Sequence, residues 1–196
     1  MTTAALLPIK PIAQSKTRLS AVMTAEARMT WVRDEINHTL SVMKQVTALS
    51  DILVVSADPE VWLMAKSHRV KVLQEPDVPG LNQSINRGLA WCQAEEHDSV
   101  MILPIDLPLL KPYCVRSALA RLIIKPGVVV VPDRHGRGTN LLLWSPLDLI
   151  TPSFGEDSFE KHCQAALAAG VEPNIYRCAD MAIDIDSPDD LALVMV

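Results

Sequence analysis

The repeated alternation of short apolar runs with longer helical patterns constrains this fold more than any other feature. Apolar runs at Leu6–Ile9, Ile52–Ser56 and Val100–Pro104 are typical of buried strands. Between the first two, apolar residues recur every three or four positions from Met29 to Met43. That period predicts a helix capped by Thr24 and reaching about Val46. Alternating strands and helices predict a three-layer α/β fold with a mostly parallel sheet.

The rest of the chain continues the same alternation. Further strands are predicted at Val70–Leu73, Val128–Val131, Asn140–Trp144, Asn174–Arg177 and Ala182–Ile185. Further helices are predicted at Pro59–Ser67, Asn82–Ala94, Pro112–Ile124, Ser158–Ala169 and Pro188–Val194. The polar, Gly-containing loop between Val131 and Asn140 favours a hairpin. Because no repeat or linker interrupts the pattern, we expect one domain over residues 1–196.

Composition excludes several classes of function. Hydrophobic residues make up 49% of the chain and charged residues 21%, with a net charge of −5. These are globular proportions, and the mild acidity predicts neither a nucleic-acid nor an anionic-membrane partner. No apolar run reaches the roughly 18 residues that a membrane helix needs. The four cysteines lack zinc-site spacing, so we expect reduced thiols in a cytoplasmic protein.

Basic residues follow the first strand. Lys10, Lys16 and Arg18 fall in the loop that leads to the first long helix. Ligands of such folds bind beyond the carboxyl ends of the strands, and a triphosphate needs cations there. The loop has neither a Gly-x-Gly-x-x-Gly nor a Walker pattern. A solvated basic loop is the alternative interpretation.

Acidic residues follow two other strands. Asp106 comes directly after Val100–Pro104, where an unpaired carboxylate would be costly. Asp184 and Asp186 alternate along a predicted extended segment, so both face one side. Three carboxylates at strand ends form a candidate Mg²⁺ or Mn²⁺ site. A turn or a helix cap could also account for any one of these residues.

Two loops have the chemistry of anion sites. In the first, Arg134, Arg137 and Thr139 could hold a phosphate or a carboxylate, and Gly136 and Gly138 allow close backbone approach. A plain hairpin tip is the alternative.

The second loop precedes a predicted helix that begins at Ser158. Ser158 is a good N-cap residue, and amide groups at a helix N-terminus bind anions. Capping without any ligand is the alternative. His162, on the same helix, is expected to be structural.

These segments together resemble the guanylyltransferases of deazaflavin coenzyme F(420) biosynthesis. The similar segments are Pro8-Ile9-Lys10, Lys16-Thr17-Arg18-Leu19, Ile105–Leu110, Gly138-Thr139-Asn140, Phe154–His162 and Asp184–Leu191. The resemblance runs from about residue 5 to residue 194, nearly the whole chain. Enzymes of this family join GMP from GTP to 2-phospholactate, phosphoenolpyruvate or a related phospho-acid and release pyrophosphate.

The resemblance implies a nucleotidyltransferase fold of the glycosyltransferase-A type and a role for each motif. It implies metal binding by Asp106, Asp184 and Asp186, with Mg²⁺ or Mn²⁺ as the ion. It implies phospho-acid binding near Thr139, Gly155 and Ser158. It implies GTP binding by Lys10, Lys16, Arg18 and Asn82, with Lys16, Arg18 and Asp106 serving catalysis. The segment Pro79-Gly80-Leu81-Asn82, with Ser84 and Asn86, corresponds to base and ribose contacts in related transferases.

The acceptor, the oligomeric state and two alternative functions stay open at this stage. The acceptor could be 2-phospholactate, phosphoenolpyruvate or 3-phosphoglycerate, and the product would pass to a downstream transferase. A homodimer is one option. Another nucleotidyltransferase, or a metal-dependent glycosyltransferase, is compatible with the same fold. A non-catalytic nucleotide-binding protein is the remaining alternative, although all three candidate metal carboxylates are present.

Overall fold

The computed structural model describes residues 2–78 and 80–194. The strands are β1 (Thr3–Pro8), β2 (Asp51–Ser56), β3 (Lys71–Gln74), β4 (Ser99–Ile102), β5 (Gly127–Pro132), β6 (Thr139–Ser145) and β7 (Asn174–Ile175). They form one sheet in the order β3-β2-β1-β4-β6-β5-β7. The helices are α1 (Ala25–Lys44), α2 (Pro59–Ser67), α3 (Leu81–Ala94), α4 (Pro112–Leu119), α5 (Ser158–Ala168), α6 (Ala179–Ala182) and α7 (Pro188–Val194).

The sheet is mixed but mostly parallel, as the strand–helix alternation predicts. β1 pairs in parallel with both β2 and β4, and β2 pairs in parallel with β3. β6 runs antiparallel to both of its neighbours, β4 and β5. The amino end of β6, at Thr139, therefore lies at the same edge as the carboxyl ends of the parallel strands. The predicted β5–β6 hairpin is confirmed.

Helices cover both faces of the sheet and give the predicted three layers. Side chains of β1 alternate between the faces, with Ala5 and Leu7 on one side and Ala4 and Leu6 on the other. The first face packs against α1, α2 and α4, and the second packs against α3 and α5. Both clusters consist mainly of fully buried aliphatic residues, so burial on both faces holds the strand ends in fixed positions.

The periodicity of α1 predicts its start well. The Thr24 hydroxyl accepts a hydrogen bond from the Ala27 amide at 3.2 Å, so Thr24 is the N-cap. The helix ends at Lys44, two residues before the predicted limit. Its buried stripe contains Val32, Ile36 and Leu40.

One predicted helix ends earlier than expected, and one predicted strand does not form. The helix predicted to reach Ile124 ends at Leu119, after which bonds such as Leu122 N–H to Leu119 O tighten the chain. The strand predicted at Ala182–Ile185 is absent from the described residues, where α6 ends at Ala182. The Met181 carbonyl instead accepts from the Asn140 side chain, and the Ala182 carbonyl accepts from the Arg134 amide. Bonds to a side chain and to a loop amide thus replace strand pairing there.

No helix among the described residues is long and apolar enough to cross a bilayer. All four cysteines are free and buried.

Candidate active site

A cleft of about 460 Å³ opens at the carboxyl edge of β1 and β4. Its lining carries charges of both signs. The charged residues of the lining are Lys10, Lys16, Arg18, Glu35, Asp106 and Asp186. The sequence analysis predicts five of these residues as parts of a site, and the structure brings all five to one cavity.

Lys16 joins two of the predicted metal carboxylates. Its Nζ lies 2.7 Å from Asp106 Oδ2 and 3.0 Å from Asp186 Oδ1. Burial disfavours the charged ammonium, but the two carboxylates outweigh that effect and raise the pKa of Lys16. The Lys16 backbone is left-handed, with φ of 54°, an uncommon conformation for a residue with a Cβ atom. A locally costly conformation thus accompanies this charge arrangement.

Asp184 is the third predicted metal carboxylate, and the charges of Asp106 and Asp186 affect its pKa. Burial is the main cause that raises the pKa of Asp184 to about 6, and repulsion from Asp106 and Asp186 adds to it. The Ile185 amide donates to the Asp106 carbonyl at 3.2 Å, which ties the two acidic segments together. Ile185 is buried while the residues on either side are not. The predicted alternation along this segment therefore holds, although no strand forms.

The acidic residues of the cleft have the donor chemistry of a divalent-cation site, although Lys16 lies among them. Across residues 2–78 and 80–194, no group of three His, Cys, Asp or Glu side chains is arranged to hold a metal ion. The Lys16 ammonium lies between two of the candidates, Asp106 and Asp186. The other oxygen of Asp106, Oδ1, is buried and has no hydrogen-bond partner. Hard, anionic oxygens and one unsatisfied acceptor have the chemistry that would hold a hard divalent cation in place of the Lys16 ammonium.

Glu35 is a charged member of the cleft that the sequence analysis missed. It lies on α1, and its side-chain oxygen Oε2 is buried without a hydrogen-bond partner. Burial, reinforced by Asp106, raises the pKa of Glu35 to about 7. The sequence does contain a sign of this residue. Glu35 interrupts the apolar stripe of α1 between Val32 and Ile36, where a charged side chain is unexpected.

A second polar cluster contains Thr139, at the start of β6. The Ser153 amide donates to His162 Nε2 at 3.0 Å, so that nitrogen carries no proton. In the neutral ring Nδ1 is then protonated and donates to Thr139 Oγ1, 2.9 Å away. Burial lowers the pKa of His162 to about 4, which keeps the ring neutral near pH 7. The Thr139 hydroxyl accepts from His162 and keeps its own proton for another acceptor.

Gly155 and Ser158 lie in the loop and helix beside His162. Gly155 has a φ of 123°, which favours glycine, and its carbonyl accepts from the Ser158 amide at 3.2 Å. Ser158 is 2% exposed. The prediction that Ser158 is the N-cap is wrong, because the N-cap is Asp157 in a left-handed conformation. Ser158 is instead the first residue of α5.

Asn140 connects the two clusters. Its Nδ2 donates to the Met181 carbonyl at 2.8 Å and lies 3.4 Å from Asp184 Oδ1. The sequence analysis did not assign Asn140 a role. The sequence indicates it only through its position directly after Thr139 on a predicted strand. A side-chain amide that is buried there needs hydrogen-bond partners.

The two arginines of the hairpin loop have acidic partners in the structure. Arg134 forms an ion pair with Asp190, in the first turn of α7. Arg137 pairs with Asp157 at 2.9 Å and with Glu156 at 3.4 Å. The hypothesis that these arginines hold a substrate anion therefore competes with ion pairs that fix the loop to its neighbours.

Asn82 holds the loop that carries Gly155. Its Oδ1 accepts from the Phe154 amide and its Nδ2 donates to the Phe154 carbonyl, both at 2.9 Å. A nucleotide contact by Asn82 stays a prediction. Pro79, part of the segment expected at the base and ribose, lies outside the described residues.

A family model described as "Guanylyl transferase CofC like" matches residues 3–196. The chain belongs to this family. The resemblance drawn from the sequence motifs is confirmed.

Curated relatives of the family are similar over nearly the whole chain. A phosphoenolpyruvate guanylyltransferase of Conexibacter woesei is 34% identical over 97% of this chain and 86% of its own length. A 2-phospho-L-lactate guanylyltransferase of Methanobrevibacter smithii is 27% identical over 97% of this chain and 83% of its own length.

Solved structures confirm the fold predicted for this family. A nucleotidyl transferase from Methanothermobacter thermautotroptrophicus superposes with a TM-score of 0.69 at 15% identity, covering 98% of this chain and 95% of its own. A CMP:2-keto-3-deoxy-manno-octonic acid synthetase complexed with CTP gives 0.66 at 14% identity, covering 99% and 97%. At such low identity these matches show the nucleotidyltransferase-like fold alone.

Proposed function

We propose that this protein transfers GMP from GTP to a small phospho-acid and releases pyrophosphate. The observation that carries the proposal is the Lys16 ammonium bound between Asp106 and Asp186 in a cleft that Lys10 and Arg18 also line. A reaction between two phosphate-bearing molecules needs both positive charge and metal-binding carboxylates at one place.

Lys10, Lys16 and Arg18 bind the triphosphate of GTP in this proposal. All three lie in the chain that follows β1, and all three line the cleft. Because this loop lacks a glycine-rich cradle, side-chain cations carry more of the phosphate contact than backbone amides do. Lys16 and Arg18 then offset the charge that develops on the departing pyrophosphate.

Thr139, Gly155 and Ser158 bind the phospho-acid. His162 orients the Thr139 hydroxyl so that it can donate to a carboxylate or phosphate oxygen. The open space around Gly155 supports close approach of a ligand, since a Cβ there would meet nothing within 4 Å. Asn140 links this cluster to Asp184, so the acceptor lies beside the acidic residues.

Asp106, Asp184 and Asp186 hold Mg²⁺ or Mn²⁺, and Asp106 serves catalysis through this role. The unsatisfied Asp106 Oδ1 and the raised pKa of Asp184 support a missing positive charge at this place. When bound, the cation supplies Lewis-acid neutralisation of phosphate oxygens. With a cation held by these carboxylates, Lys16 would be available to contact the nucleotide.

The reaction is an in-line displacement at phosphorus. A phosphate oxygen of the acceptor forms a bond to the α-phosphorus of GTP. The bond from that phosphorus to the α–β bridging oxygen breaks, and pyrophosphate leaves with the electron pair. The acceptor phosphate is already ionised near pH 7, so the protein needs no strong general base. Its residues instead orient two anions and reduce their repulsion.

The names of the relatives favour phosphoenolpyruvate and 2-phospho-L-lactate as the acceptor. 3-Phosphoglycerate, which has the same charged groups on another carbon skeleton, is a third candidate. In the product, a phosphoanhydride bond joins GMP to the phospho-acid. This bond activates the phospho-acid for a downstream transferase.

The test is pyrophosphate release from GTP with each of the three acceptors in turn. We expect release with one preferred acceptor, little release with ATP, and none with EDTA. Asp106→Asn should abolish release while the chain stays folded. Asp148→Asn is a matched control, because Asp148 is exposed and lies outside the cleft lining. Near-normal activity of Asp106→Asn would contradict the metal assignment, and no release with any acceptor would contradict the proposed reaction.

A further inference from the structure

Glu75 is a buried acidic residue that the proposed reaction does not use. It follows β3 directly, and its amide donates to the Ser56 carbonyl at 2.9 Å. The Glu75 side chain is 3% exposed. Such deep burial is unusual for a carboxylate unless other groups hold it in place.

Glu75 lines a narrow recess beside the cleft. Most of the recess wall is apolar, with contributions from Pro8, Ile9, Val78 and Leu81. The recess shares Pro8, Lys10 and Leu81 with the lining of the cleft, so the two cavities adjoin. A nucleotide with its phosphates among the cleft cations thus has its base within reach of this recess.

Two side chains of α3 fix the Glu75 carboxylate. Ser84 Oγ donates to Oε2 at 2.8 Å, and Arg87 Nη1 donates to Oε1 at 2.9 Å. Arg87 also pairs with Asp77 at 3.0 Å. Each carboxylate oxygen accepts one of these bonds and keeps a further lone pair. Glu75 is therefore an oriented pair of acceptors beside an apolar wall.

Guanine is the base whose edge matches two adjacent acceptors. Its N1–H and its exocyclic N2 amino group are neighbouring donors on one edge of the ring. Adenine presents an unprotonated N1, whose lone pair would face the carboxylate. The recess measures about 20 Å³, so a purine base can enter it only if part of the wall is displaced. Val78, on that wall, is half exposed.

We propose that Glu75 determines base specificity by accepting hydrogen bonds from N1–H and the N2 amino group of guanine. This inference rests on the proposed function, because it takes the nucleotide of the cleft to be GTP. It assigns a role to a residue that sequence motifs did not single out.

Binding measurements on the unaltered chain test the proposal without any risk of misfolding. GTP, inosine triphosphate, xanthosine triphosphate and ATP would be titrated calorimetrically with the same divalent ion. Inosine lacks the amino group, and xanthine has a carbonyl oxygen in its place. The proposal predicts affinity in the order GTP, then inosine triphosphate, then xanthosine triphosphate. Equal binding of GTP and xanthosine triphosphate would overturn it.

Glu75→Gln adds a reversal of specificity. A glutamine amide accepts from N1–H and donates to the xanthine carbonyl, so this variant should favour xanthosine triphosphate over GTP. We expect GTP affinity to fall about tenfold, as for loss of one charged hydrogen bond. Ser84→Ala and Arg87→Met remove the groups that orient Glu75 and keep its carboxylate. Both should weaken the preference for GTP less than Glu75→Gln does, and neither should favour xanthosine triphosphate.

The outcomes separate this inference from the proposed function. If the unaltered chain prefers GTP and Glu75→Gln keeps that preference unchanged, Glu75 does not read the base. If Ser84→Ala and Arg87→Met alter the preference as much as Glu75→Gln does, the role of Glu75 is structural and the inference is overturned. If the unaltered chain binds GTP and ATP equally yet releases pyrophosphate from GTP, the inference fails and the proposed function stands. If it releases no pyrophosphate with any acceptor, the proposed function fails.

Discussion

The Nζ atom of Lys16 lies 2.7 Å from Asp106 Oδ2, across 90 positions of sequence. The ammonium offsets charge on a carboxylate that the proposed mechanism assigns to a divalent cation. In the proposed mechanism Lys16 and a cation would therefore compete for Asp106 and Asp186, and the cation-bound site would leave Lys16 available to the nucleotide. This relationship makes the basic loop and the acidic cluster one coupled site.

Lys16→Met should weaken catalysis and strengthen metal binding. Without the ammonium, Asp106 and Asp186 repel each other and attract a divalent cation more strongly. Loss of a cation that stabilises the departing pyrophosphate should lower kcat on the order of a hundredfold. Electron paramagnetic resonance of free Mn²⁺, without nucleotide, measures the binding. Lys44→Met, at an exposed position outside the cleft lining, is the control. Weaker Mn²⁺ binding by Lys16→Met would refute the competition.

Thr139→Val should raise KM for the phospho-acid and leave KM for GTP near its original value. The His162 ring accounts for one bond of the Thr139 hydroxyl, and the hydroxyl proton is available to the acceptor. Losing one hydrogen bond to an anion should cost about tenfold in KM or more. Thr139→Ser keeps the hydroxyl and should restore binding. An equal rise in both KM values would argue against a site that serves the acceptor alone.

Glu35→Gln should stabilise the metal-free chain at pH 8. The pKa of Glu35 is raised from 4.5 to about 7 in the folded protein, so the folded state binds its proton more tightly. Ionised Glu35 therefore lowers the free energy of unfolding. This loss of stability is absent below about pH 4.5 and complete above about pH 7. Removing the charge should therefore add about 3 kcal/mol to the free energy of unfolding at pH 8 and almost nothing at pH 4.5.

The measurement is urea unfolding in EDTA at both pH values. His162, with its lowered pKa, titrates in the opposite sense and cancels in the difference between variant and unaltered chain. Glu26→Gln, on the exposed first turn of the same helix, is the control. A difference independent of pH would show that Glu35 is not the titrating group.

Asp190→Ala should destabilise the segment that carries Asp186. Asp190 Oδ2 accepts from the Ser187 amide at 2.7 Å and from the Asp186 amide at 3.1 Å. The Asp190 amide lies 3.3 Å from Ser187 Oγ, so the two residues cap α7 reciprocally. Loss of this cap should cost about 1 to 2 kcal/mol of unfolding free energy and reduce activity.

Asp189→Ala supplies the matched control, because Asp189 is exposed in the same helical turn. Chemical unfolding and pyrophosphate release should both separate the two variants. Equal effects of the two substitutions would remove Asp190 from its supporting role.

Sequence patterns predicted helix boundaries correctly where a residue at the boundary itself sets them. The predicted helix bounds Pro59–Ser67 and Pro188–Val194 match the structure, since each helix begins at a proline. The helix predicted to reach Ile124 ends early, because its termination depends on bonds that form only in the folded turn. The strand predicted at Ala182–Ile185 fails because a distant loop amide, that of Arg134, binds its first carbonyl. The Asn140 side chain binds the carbonyl of the residue before it, Met181.

The residues of the candidate site also fall into those that the sequence predicts and those that only the fold reveals. Charged residues in the loops that follow strands, such as Lys16 and Asp106, were predictable because the carboxyl ends of parallel strands share one edge. Glu35 and Glu75 were not, since their significance depends on burial that packing alone creates. The Lys16 ion pairs also required the structure, because no pattern indicates which acids a basic loop will meet.

The most direct test of the account follows the labelled phosphorus of GTP. GTP labelled at the α-phosphorus or at the γ-phosphorus would be incubated with Mg²⁺ and the preferred acceptor, and the products separated. The account predicts the α label in the phospho-acid conjugate and the γ label in pyrophosphate. Appearance of the γ label in the acceptor, or retention of both labels in GTP, would contradict guanylyl transfer.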